Sequence, residues 1–537
     1  MAITQTPMQL SQFINSLTEP TAYPFPVVEV EVRQTHISAV FLAGDFVYKV
    51  KKPVEYGFLD FGTLEKRRFY CDEEVRLNRR LAPDVYLGVV PIAQCGTGVC
   101  FEGDGLVIEW AVKMRRLPDS ATLDSRLQHD SVGVDTIRKL AERVAAFHYD
   151  AESGPNISAL ARCDTVARNA RENFDQTLDH VGTSVSRAVF DRVRWLTEEA
   201  LSRLRPLIES RAARNVPRDT HGDLRLAHVY IFPDREPPDD LIVIDCIEFA
   251  ERFRFADPIA DMAFLLMGLK LQAEVALSRE FLDTYINASG DQEGRALVPF
   301  YTAYRAVVRG KVEGLKLSRS EISPADRETA LSTARGSWLV ALGELEEPSR
   351  KPCLILVAGL PGTGKSTLAR LLANVANFEV IRSDVVRKQL VNEAGERTGP
   401  AEFGKGIYTL EWTQRTYDEC LRRSKEMLLD GKRVLVDANF REEASRRLFL
   451  DAATKLGVRC GLLICQADSE IIRMRLANRR DDASDADWSV YLKAAGSWQE
   501  PTPPTQAVSH LIDMGRSAEY ALALARSALC DWGLTEH

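Results

Sequence analysis

The sequence predicts two successive domains, an α+β domain followed by a three-layer α/β/α domain built on a parallel sheet. Three observations predict this order. Residues 27–114 contain short runs that alternate apolar and polar positions, as half-buried strands do. Residues 119–345 place apolar residues at helical spacing. From residue 354 onward, short apolar runs alternate with helical segments, which is typical of a parallel sheet covered by helices.

Length and composition agree with a globular chain of more than one domain. A single hydrophobic core rarely serves 537 residues, and 45% hydrophobic and 27% charged residues are ordinary values. The net charge of −8 argues against bulk binding of nucleic acid or acidic membranes, although it leaves a local basic groove open. No apolar run approaches the ~20 residues of a membrane span. The ten cysteines form no C-x-x-C pair, so we expect reduced thiols and a cytoplasmic location.

The first domain is predicted over residues 1–346. Strands are expected near 27–32, 37–42 and 46–51, and further strands near 86–92 and 106–114. Between them, Thr63 is expected to cap a helix from Leu64 to Leu81. The helical pattern that follows is strongest at 137–148 and 189–207. A loop then opens at His221, and an apolar strand over 241–245 ends on Asp245.

The domain boundary is predicted at 346/347, because residues 346–352 are polar and contain two prolines. The second domain, residues 347–537, opens with an apolar strand at 354–358. Further strands are expected near 378–381, 433–436 and 461–465.

A glycine-rich loop follows the first of these strands. Residues 359–366 fit G-x-x-x-x-G-K-[ST], a phosphate-binding loop between a strand and a helix. Its backbone N–H groups can surround an anion at the helix N-terminus. Lys365 is expected at the β- and γ-phosphates and Ser366 at Mg²⁺, so ATP and Mg²⁺ are the predicted cofactors. The residues predicted to contact nucleotide are Gly359, Pro361, Gly362, Thr363, Gly364, Lys365, Ser366 and Thr367.

Acidic and basic residues after the later strands extend this prediction. Asp437 ends a strand and is the second predicted Mg²⁺ ligand, while Asp384 follows another strand. This order resembles small P-loop kinases: gluconate kinase, chloramphenicol phosphotransferase, polynucleotide kinase and zeta-toxin-like proteins. The resemblance implies that Asp384 contacts the acceptor hydroxyl and that Arg475 and Arg479 clamp phosphates. A solvated helix face is the alternative for the two arginines.

A second group of motifs lies in the first domain. Residues 221–228 read HGDLRLAH, residues 244–248 read IDCIE and residues 257–261 read DPIAD. Together they resemble the aminoglycoside phosphotransferase family, whose pattern H-G-D-L-H-x-x-N precedes an acid at a strand end. The resemblance covers most of residues 27–320 and implies a protein-kinase-like bilobal fold. It implies that Asp223 acts at the acceptor hydroxyl and that Asp245 holds Mg²⁺.

The same resemblance implies a strand lysine paired with a helix glutamate. Lys49 and Glu74 are the predicted pair, and Lys51 and Glu73 remain alternatives because of register. His228 stands where the family has asparagine, and imidazole suits softer metals than Mg²⁺. We therefore expect His228 to serve the nucleotide site as a hydrogen-bond donor that orients Asp223 or a phosphate. Packing beneath the loop is its alternative role.

Two such halves in this order resemble a bacterial two-domain family described as bifunctional aminoglycoside phosphotransferase/ATP-binding protein, the second half being a P-loop kinase or AAA-type ATP-binding domain. Stretches 48–53, 77–83 and 244–249 carry this resemblance. The predicted function is an ATP-dependent phosphotransferase acting on a small-molecule hydroxyl of a sugar, an aminoglycoside-like compound or a nucleoside.

Two alternatives stay open. The second half could be a polynucleotide-end kinase with a groove formed by Arg387, Lys388 and Arg415. The chain could also be an ATP-gated regulatory protein whose first domain only binds. Neither the acceptor nor the oligomeric state is specified by the sequence.

Overall fold

The structure is a computed structural model that describes residues 9–57, 59–96, 98–129, 131–318, 322–394, 409–478 and 487–536. The chain divides into two compact units. The first contains residues up to 166, residues 205–268 and residues 276–298. The second contains residues 167–204, 269–275 and everything from 299 onward.

The strands described up to residue 298 include every predicted run, the first beginning three residues later than predicted, together with six short strands that were not predicted. The described strands are β1 (Val30–Gln34), β2 (Ser38–Ala43), β3 (Phe46–Lys51), β4 (Glu55–Tyr56), β5 (Leu59–Asp60), β6 (Tyr86–Cys95), β7 (Gly98–Phe101), β8 (Val107–Arg115), β9 (Arg218–Asp219), β10 (Val229–Ile231), β11 (Leu241–Val243) and β12 (Phe255–Ala256). The predicted strand over 241–245 thus ends at Val243, two residues before Asp245.

α-Helices also begin in this part of the chain. They are α1 (Leu10–Ser16), α2 (Leu64–Asn78), α3 (Leu123–Gln128), α4 (Val134–Asp150), α5 (Pro155–Leu160), α6 (Cys163–Asp175), α7 (Arg187–Ala213), α8 (Glu251–Arg254), α9 (Pro258–Leu271), α10 (Val275–Ser289) and α11 (Val298–Lys316). The predicted cap of α2 is confirmed, since the Thr63 hydroxyl accepts a hydrogen bond from Lys66 N at 3.3 Å.

An antiparallel sheet with strand order β1-β2-β3-β8-β6-β7 dominates the first unit. Because side chains alternate across a strand, Tyr48 belongs to a buried cluster on one face and Val47 to a cluster on the other. Val75 of α2 joins the Val47 cluster. Burial of each large apolar side chain contributes about 1.5–3 kcal/mol, so the sheet holds both α2 and β3 firmly in place.

The second unit contains a parallel sheet of five strands in the order β14-β15-β13-β16-β17. These are β13 (Cys353–Ala358), β14 (Glu379–Arg382), β15 (Arg433–Asp437), β16 (Arg459–Gln466) and β17 (Ser509–Asp513). The first four confirm the predicted strands. The edge strand β17 was not predicted, because Ile512 is its only buried residue and the segment lacks an apolar run.

Helices alternate with these strands along the chain. They are α12 (Pro324–Leu345), α13 (Lys365–Ala376), α14 (Ser383–Glu393), α15 (Leu410–Leu429), α16 (Glu443–Lys455), α17 (Ser469–Ala477), α18 (Trp488–Ala495), α19 (Pro503–Gln506) and α20 (Ala518–Asp531). Among the described residues, no helix is both long and apolar enough to cross a membrane.

Residues that precede the predicted boundary also belong to the second unit. Trp338 of α12 is buried and its ring lies 5.7 Å from that of Phe190 in α7. Gly336 of α12 lies close against the Lys455 carbonyl, and Gly431 lies against Leu342. The compact units therefore interleave along the chain, whereas the boundary at 346/347 stays a prediction about where two sequence types meet.

One cysteine pair departs from the expectation of reduced thiols. Cys95 and Cys100 lie diagonally across the β6–β7 hairpin, where Cys95 pairs with Gly98 and Cys100 with Ala93. Their Cα atoms are 5.9 Å apart, and the two residues are joined as a disulfide. Short hairpin connections bring residues at this spacing together, which the absence of a C-x-x-C pair does not reveal. The other eight cysteines form no disulfide.

Candidate functional site

A buried network of lysines and carboxylates joins β3 to α2 in the first unit. Lys49 Nζ lies 2.8 Å from Glu74 Oε1 and 2.7 Å from Asp245 Oδ1. Lys51 Nζ lies 2.7 Å from Glu74 Oε2 and also contacts Glu248. Lys49 and Lys51 are two residues apart on β3, so both point to the same side and share Glu74. The structure thus brings the predicted Lys49–Glu74 pair together and adds Lys51 to it.

Glu73, the alternative to Glu74, faces away from this network. Its carboxylate pairs with Arg76 at 2.8 Å, and both side chains are partly exposed. Glu74 is completely buried. Burial acts to raise the pKa of Glu74, but Lys49 and Lys51 outweigh burial and lower it. Burial likewise opposes the charge of Lys49, whose pKa is nevertheless held well above its ordinary value by Asp245 and Glu74.

Asp245 lies in a turn that two buried side chains hold in place. Its φ of 66° is in the left-handed region, which costs energy for a residue other than glycine. Asp245 N donates to the Tyr86 hydroxyl at 3.1 Å, and Cys246 N donates to Asn78 Oδ1 at 2.9 Å. Burial acts to raise the pKa of Asp245, yet Lys49 keeps it well below its usual range. The Asp245 carboxylate is therefore ionised and fixed in position.

The loop at 221–228 is anchored by Asp261 near the start of α9. The Asp261 carboxylate accepts hydrogen bonds from His221 N at 3.0 Å and Gly222 N at 2.8 Å, and it also contacts His148 Nε2 at 3.1 Å. Tyr285 holds the other ring nitrogen of His148 at 2.8 Å. Asp261, the last residue of the DPIAD stretch that carries the family resemblance, and His148 thus support the loop. Gly222, with φ 83°, has the Phe253 carbonyl 3.1 Å from where a Cβ would lie.

At the end of this loop, Asp223, Arg225, His228 and Asp245 converge. Arg225 Nη2 lies 2.9 Å from Asp223 Oδ2 and 2.6 Å from His228 Nε2. His228 Nε2 lies 3.5 Å from Asp245 Oδ2, and His228 Nδ1 donates to the Asp223 carbonyl at 2.9 Å. Ligand atoms of Asp223, His228 and Asp245 all lie within 4.8 Å of one another, a spacing that could hold a metal ion.

His228 is neutral in this setting. Burial, together with the adjacent Arg225 guanidinium, lowers the pKa of His228 to about 4. With Nδ1 donating to a carbonyl, Nε2 carries the lone pair and accepts from Arg225. His228 therefore donates a hydrogen bond to the backbone of Asp223, as the expected orienting role requires. It is also buried under the loop, as the alternative packing role requires.

The glycine-rich loop of the second unit follows the central strand β13. Gly359 lies so close to β16 that a Cβ would meet the Cys465 carbonyl at 2.6 Å. Gly364, with φ 100°, precedes α13 in a left-handed conformation that glycine adopts without strain. Gly362 and Thr367 flank the turn, Pro361 and Thr363 are buried within it, and the Thr363 hydroxyl donates to the Leu360 carbonyl at 2.8 Å. The backbone thus curves around the N-terminus of α13 as predicted.

The functional side chains of this loop face the end of β15. Ser366 Oγ donates to Asp437 Oδ2 at 2.6 Å, which brings the two predicted Mg²⁺ ligands into contact. Arg382, at the end of β14, lies 3.3 Å from Ser366 Oγ and 3.4 Å from Asp437. Lys365 Nζ donates to the Leu360 carbonyl at 2.9 Å, across the mouth of the loop. β15 lies beside β13 in the sheet, so these residues are neighbours by topology.

Asp384 is the second residue of α14, near the same edge of the sheet. Burial raises its pKa, and the nearby Asp437 carboxylate adds to this effect while Lys365, Arg387 and Arg382 oppose it. Among the described residues, its carboxylate makes no hydrogen bond or ion pair. A carboxylate with a raised pKa beside the phosphate loop is suited to accept a proton.

The predicted clamp arginines can be followed only in part. Arg475 of α17 donates to the Met514 carbonyl at 2.8 Å and lies 3.4 Å from the Thr363 carbonyl. It therefore borders the phosphate loop. Arg479 lies outside the described residues. For the alternative groove, Arg387 is buried against Thr413, Lys388 is half-buried and Arg415 is exposed beside Trp412, so Arg387 cannot line an exposed surface.

Several residues of both sites were not predicted. Arg382 lies beside the predicted Mg²⁺ ligands. Its position at a strand end, close to Asp384, is the feature of the sequence that could have indicated it. Arg225 occupies the second histidine position of the H-G-D-L-H-x-x-N pattern, a departure that could have been noticed. Tyr86 and Asn78 had no signal, because they reach Asp245 and Cys246 across 159 and 168 residues.

Known proteins match this chain over most of its length. Over 462 residues, it is 33% identical to "Uncharacterized protein Rv2004c" of Mycobacterium tuberculosis, an alignment spanning 85% of this chain and 88% of that protein. "Uncharacterized protein Mb2027c" of Mycobacterium bovis matches with the same identity and coverage. Residues 354–501 match a family model described as "AAA domain".

Solved structures similar to this chain include two kinases. A sugar kinase from Janibacter sp. HTCC2649 is 14% identical with a TM-score of 0.27, covering 35% of this chain and 99% of its own. A gluconokinase from Sinorhizobium meliloti 1021 is 15% identical with a TM-score of 0.25, covering 34% of this chain and 95% of its own.

Proposed function

The chain belongs to the family of the mycobacterial proteins that it matches over most of its length, and we propose that it is an ATP-dependent phosphotransferase with two nucleotide sites. The acceptor in this proposal is the hydroxyl of a small molecule, such as a sugar, an aminoglycoside-like compound or a nucleoside. The observation that carries the proposal is the contact of Ser366 with Asp437 at the mouth of the phosphate loop, beside Lys365 and Asp384.

In the second unit, the loop residues would bind the phosphates of ATP. The backbone N–H groups around Gly362–Gly364 and the N-terminus of α13 supply positive potential without any rearrangement of charge. Lys365 would exchange the Leu360 carbonyl for phosphate oxygens. Ser366 and Asp437 would hold Mg²⁺, which when bound neutralises phosphate charge. These two oxygens are hard ligands, so their chemistry fits Mg²⁺.

Asp384 would act on the acceptor. Its carboxylate would accept the hydroxyl proton as the acceptor oxygen attacks the γ-phosphorus and the bond to the β-phosphate oxygen breaks. A raised pKa makes Asp384 a stronger base than an ordinary aspartate. Arg475 borders the loop and would steady the phosphates, in keeping with its predicted role.

In the first unit, we propose a second nucleotide site with a protein-kinase-like arrangement. Lys49, held by Glu74, would exchange its ion pair with Asp245 for contacts with phosphate oxygens. Asp245, ionised and fixed by Tyr86, would hold Mg²⁺, and Asp223 would face the acceptor. What supports this assignment is the convergence of residues that lie up to 196 positions apart in the sequence.

The role of Asp384 can be tested in the full-length protein. With γ-labelled ATP and a panel of sugars, aminoglycosides and nucleosides, Asp384→Asn should keep ATP affinity but lower label transfer by ~10²–10⁴, the usual effect of losing a general base. Asp418→Asn, which alters an exposed aspartate on α15, is the matched control and should transfer label at the wild-type rate.

Three results would count against the proposal. Equal transfer by wild type and Asp384→Asn would remove Asp384 from the site. Transfer to an oligonucleotide with a 5′-hydroxyl, tested beside the panel, and to none of the small molecules would favour the polynucleotide-end kinase. Tight ATP binding with no transfer to any acceptor, and no ATP turnover, would favour the regulatory protein.

A further inference from the structure

Arg225 occupies an unusual position in the first unit, inside the group formed by Asp223, His228 and Asp245. One nitrogen, Nη2, lies 2.9 Å from Asp223 Oδ2 and 2.6 Å from His228 Nε2. An Nη nitrogen carries two hydrogens, so it can donate to both acceptors at once. The guanidinium is only partly exposed, at 29% of its side chain.

The position of the proton on the His228 ring makes the contact with Arg225 favourable. His228 Nδ1 donates to the Asp223 carbonyl, so the lone pair is on Nε2 and faces Arg225. The same lone pair is what a metal ion would need. Because Asp245 Oδ2 is 3.5 Å from Nε2, any ion shared by His228 and Asp245 would have to lie beside the guanidinium and would be repelled by it.

The sequence departs from the family pattern at both position 225 and position 228. In the pattern H-G-D-L-H-x-x-N, the positions of Arg225 and His228 carry histidine and asparagine. Here an arginine has replaced the histidine and a histidine has replaced the amide oxygen donor. The two substituted side chains touch each other, so one contact accounts for both departures.

A metal held jointly by residues 228 and 245 therefore does not fit the residues present. We propose that the Arg225 guanidinium is a built-in cation that takes the place of such a metal and positions both Asp223 and His228. This role rests on the nucleotide site proposed above. In that site, Asp245 would hold a divalent cation and residue 228 would not. Arg225 is a positioning residue in this scheme, since it acts through Asp223.

Cobalt binding to the tag-free, full-length protein tests this without nucleotide and without turnover. Co²⁺ favours nitrogen ligands more than Mg²⁺ does, and its visible absorption changes when a histidine binds. Wild type should show no Co²⁺ absorption that depends on His228. Arg225→Met should gain one Co²⁺ site, at least tenfold tighter than any in wild type. Arg225→Met combined with His228→Gln should lose that site again.

Arg76→Met is the matched control, because it removes an exposed arginine paired with Glu73 outside the group. It should bind Co²⁺ as wild type does. Should Arg225→Met fail to fold by circular dichroism, Arg225→Gln, which keeps a hydrogen-bond donor but no charge, takes its place with the same expected gain.

Two results would overturn the proposal. One is wild-type protein that already binds Co²⁺ through His228 as tightly as the Arg225 variant does. The other is a folded Arg225 variant that gains no site. Either could occur while the first unit still binds ATP, and an absence of ATP binding would leave the Co²⁺ result unaffected, so this test is separate from that of the nucleotide site.

Discussion

Glu74 is the carboxylate on which the lysine network of the first unit depends, so Glu74→Gln should destabilise that region strongly. Glu74 is fully buried between Lys49 at 2.8 Å and Lys51 at 2.7 Å. Removal of one member of a buried ion pair costs about 3–5 kcal/mol when the remaining charge is left uncompensated. In Glu74→Gln, Lys49 and Lys51 would keep Asp245 and Glu248 as partners. Glutamine keeps one carbonyl oxygen that can accept from a lysine, so we expect the lower end, about 3 kcal/mol.

Amide hydrogen exchange of the full-length protein, read by mass spectrometry on peptides from β3 and α2, measures this locally. A loss of about 3 kcal/mol corresponds to exchange that is faster by roughly 150-fold, at 1.36 kcal/mol for each factor of ten. Glu73→Gln is the matched control. Its ion pair with Arg76 is partly exposed and contributes at most about 1 kcal/mol, or roughly fivefold in exchange.

The effect should also depend on pH. The pKa of Glu74 is lowered in the folded protein, so its charge stabilises the fold above the ordinary glutamate pKa of about 4.3. That contribution is lost as the pH falls through the folded-state value, and the difference between wild type and Glu74→Gln should shrink there. Exchange rates for Glu74→Gln within fivefold of those for Glu73→Gln at neutral pH would refute the shared-carboxylate reasoning.

Three further predictions concern the two sites. Lys365→Ala should abolish binding in the second unit but leave about one nucleotide per chain at the first, and equilibrium dialysis with no residual binding to a folded protein would mean a single site. In that Lys365→Ala background, His228→Asn should preserve Mg²⁺-dependent binding of an ATP analogue whereas Asp245→Asn removes it, and calorimetry giving equal losses would make His228 a metal ligand. The rate of label transfer should fall on acidification with a midpoint above the ordinary aspartate pKa of about 3.9, since Asp384 acts only when ionised and burial raises its pKa; a flat profile down to pH 4 would argue against Asp384 as the base.

Local patterns predicted much of this molecule. The strand–loop–helix arrangement around residues 359–366 is encoded within a few residues, and β2, β3 and α2 follow from alternation and a threonine cap. Asp437 could be found because a buried strand leads directly to it. In each case, the residues that specify the element are also the ones that form it.

Contacts between distant segments could not be predicted in the same way. The use of Asn78 to hold Cys246 depends on how α2 lies against a turn 168 residues later. The pairing of Arg225 with His228 is local, yet its meaning depends on Asp245, which β11 brings to the same place. The strand β17 is an edge strand with one buried residue, so hydrophobic periodicity gives it no signal.

The interleaving of the two units along the chain has a consequence for how the protein is made. A ribosome releases residues 167–204 early, but their packing partners include the segment from 299 to the C-terminus. At synthesis rates of about 5–20 residues per second, the roughly 330 residues that follow position 204 take ~15–70 s to appear. During much of that interval, the side chain of Val189, which is buried in the finished protein, lacks Gly431, the later residue that lies against it. A chain truncated at residue 346 would never contain the partners that follow that position. We therefore expect nascent and shortened chains to depend on chaperones more than the finished protein does.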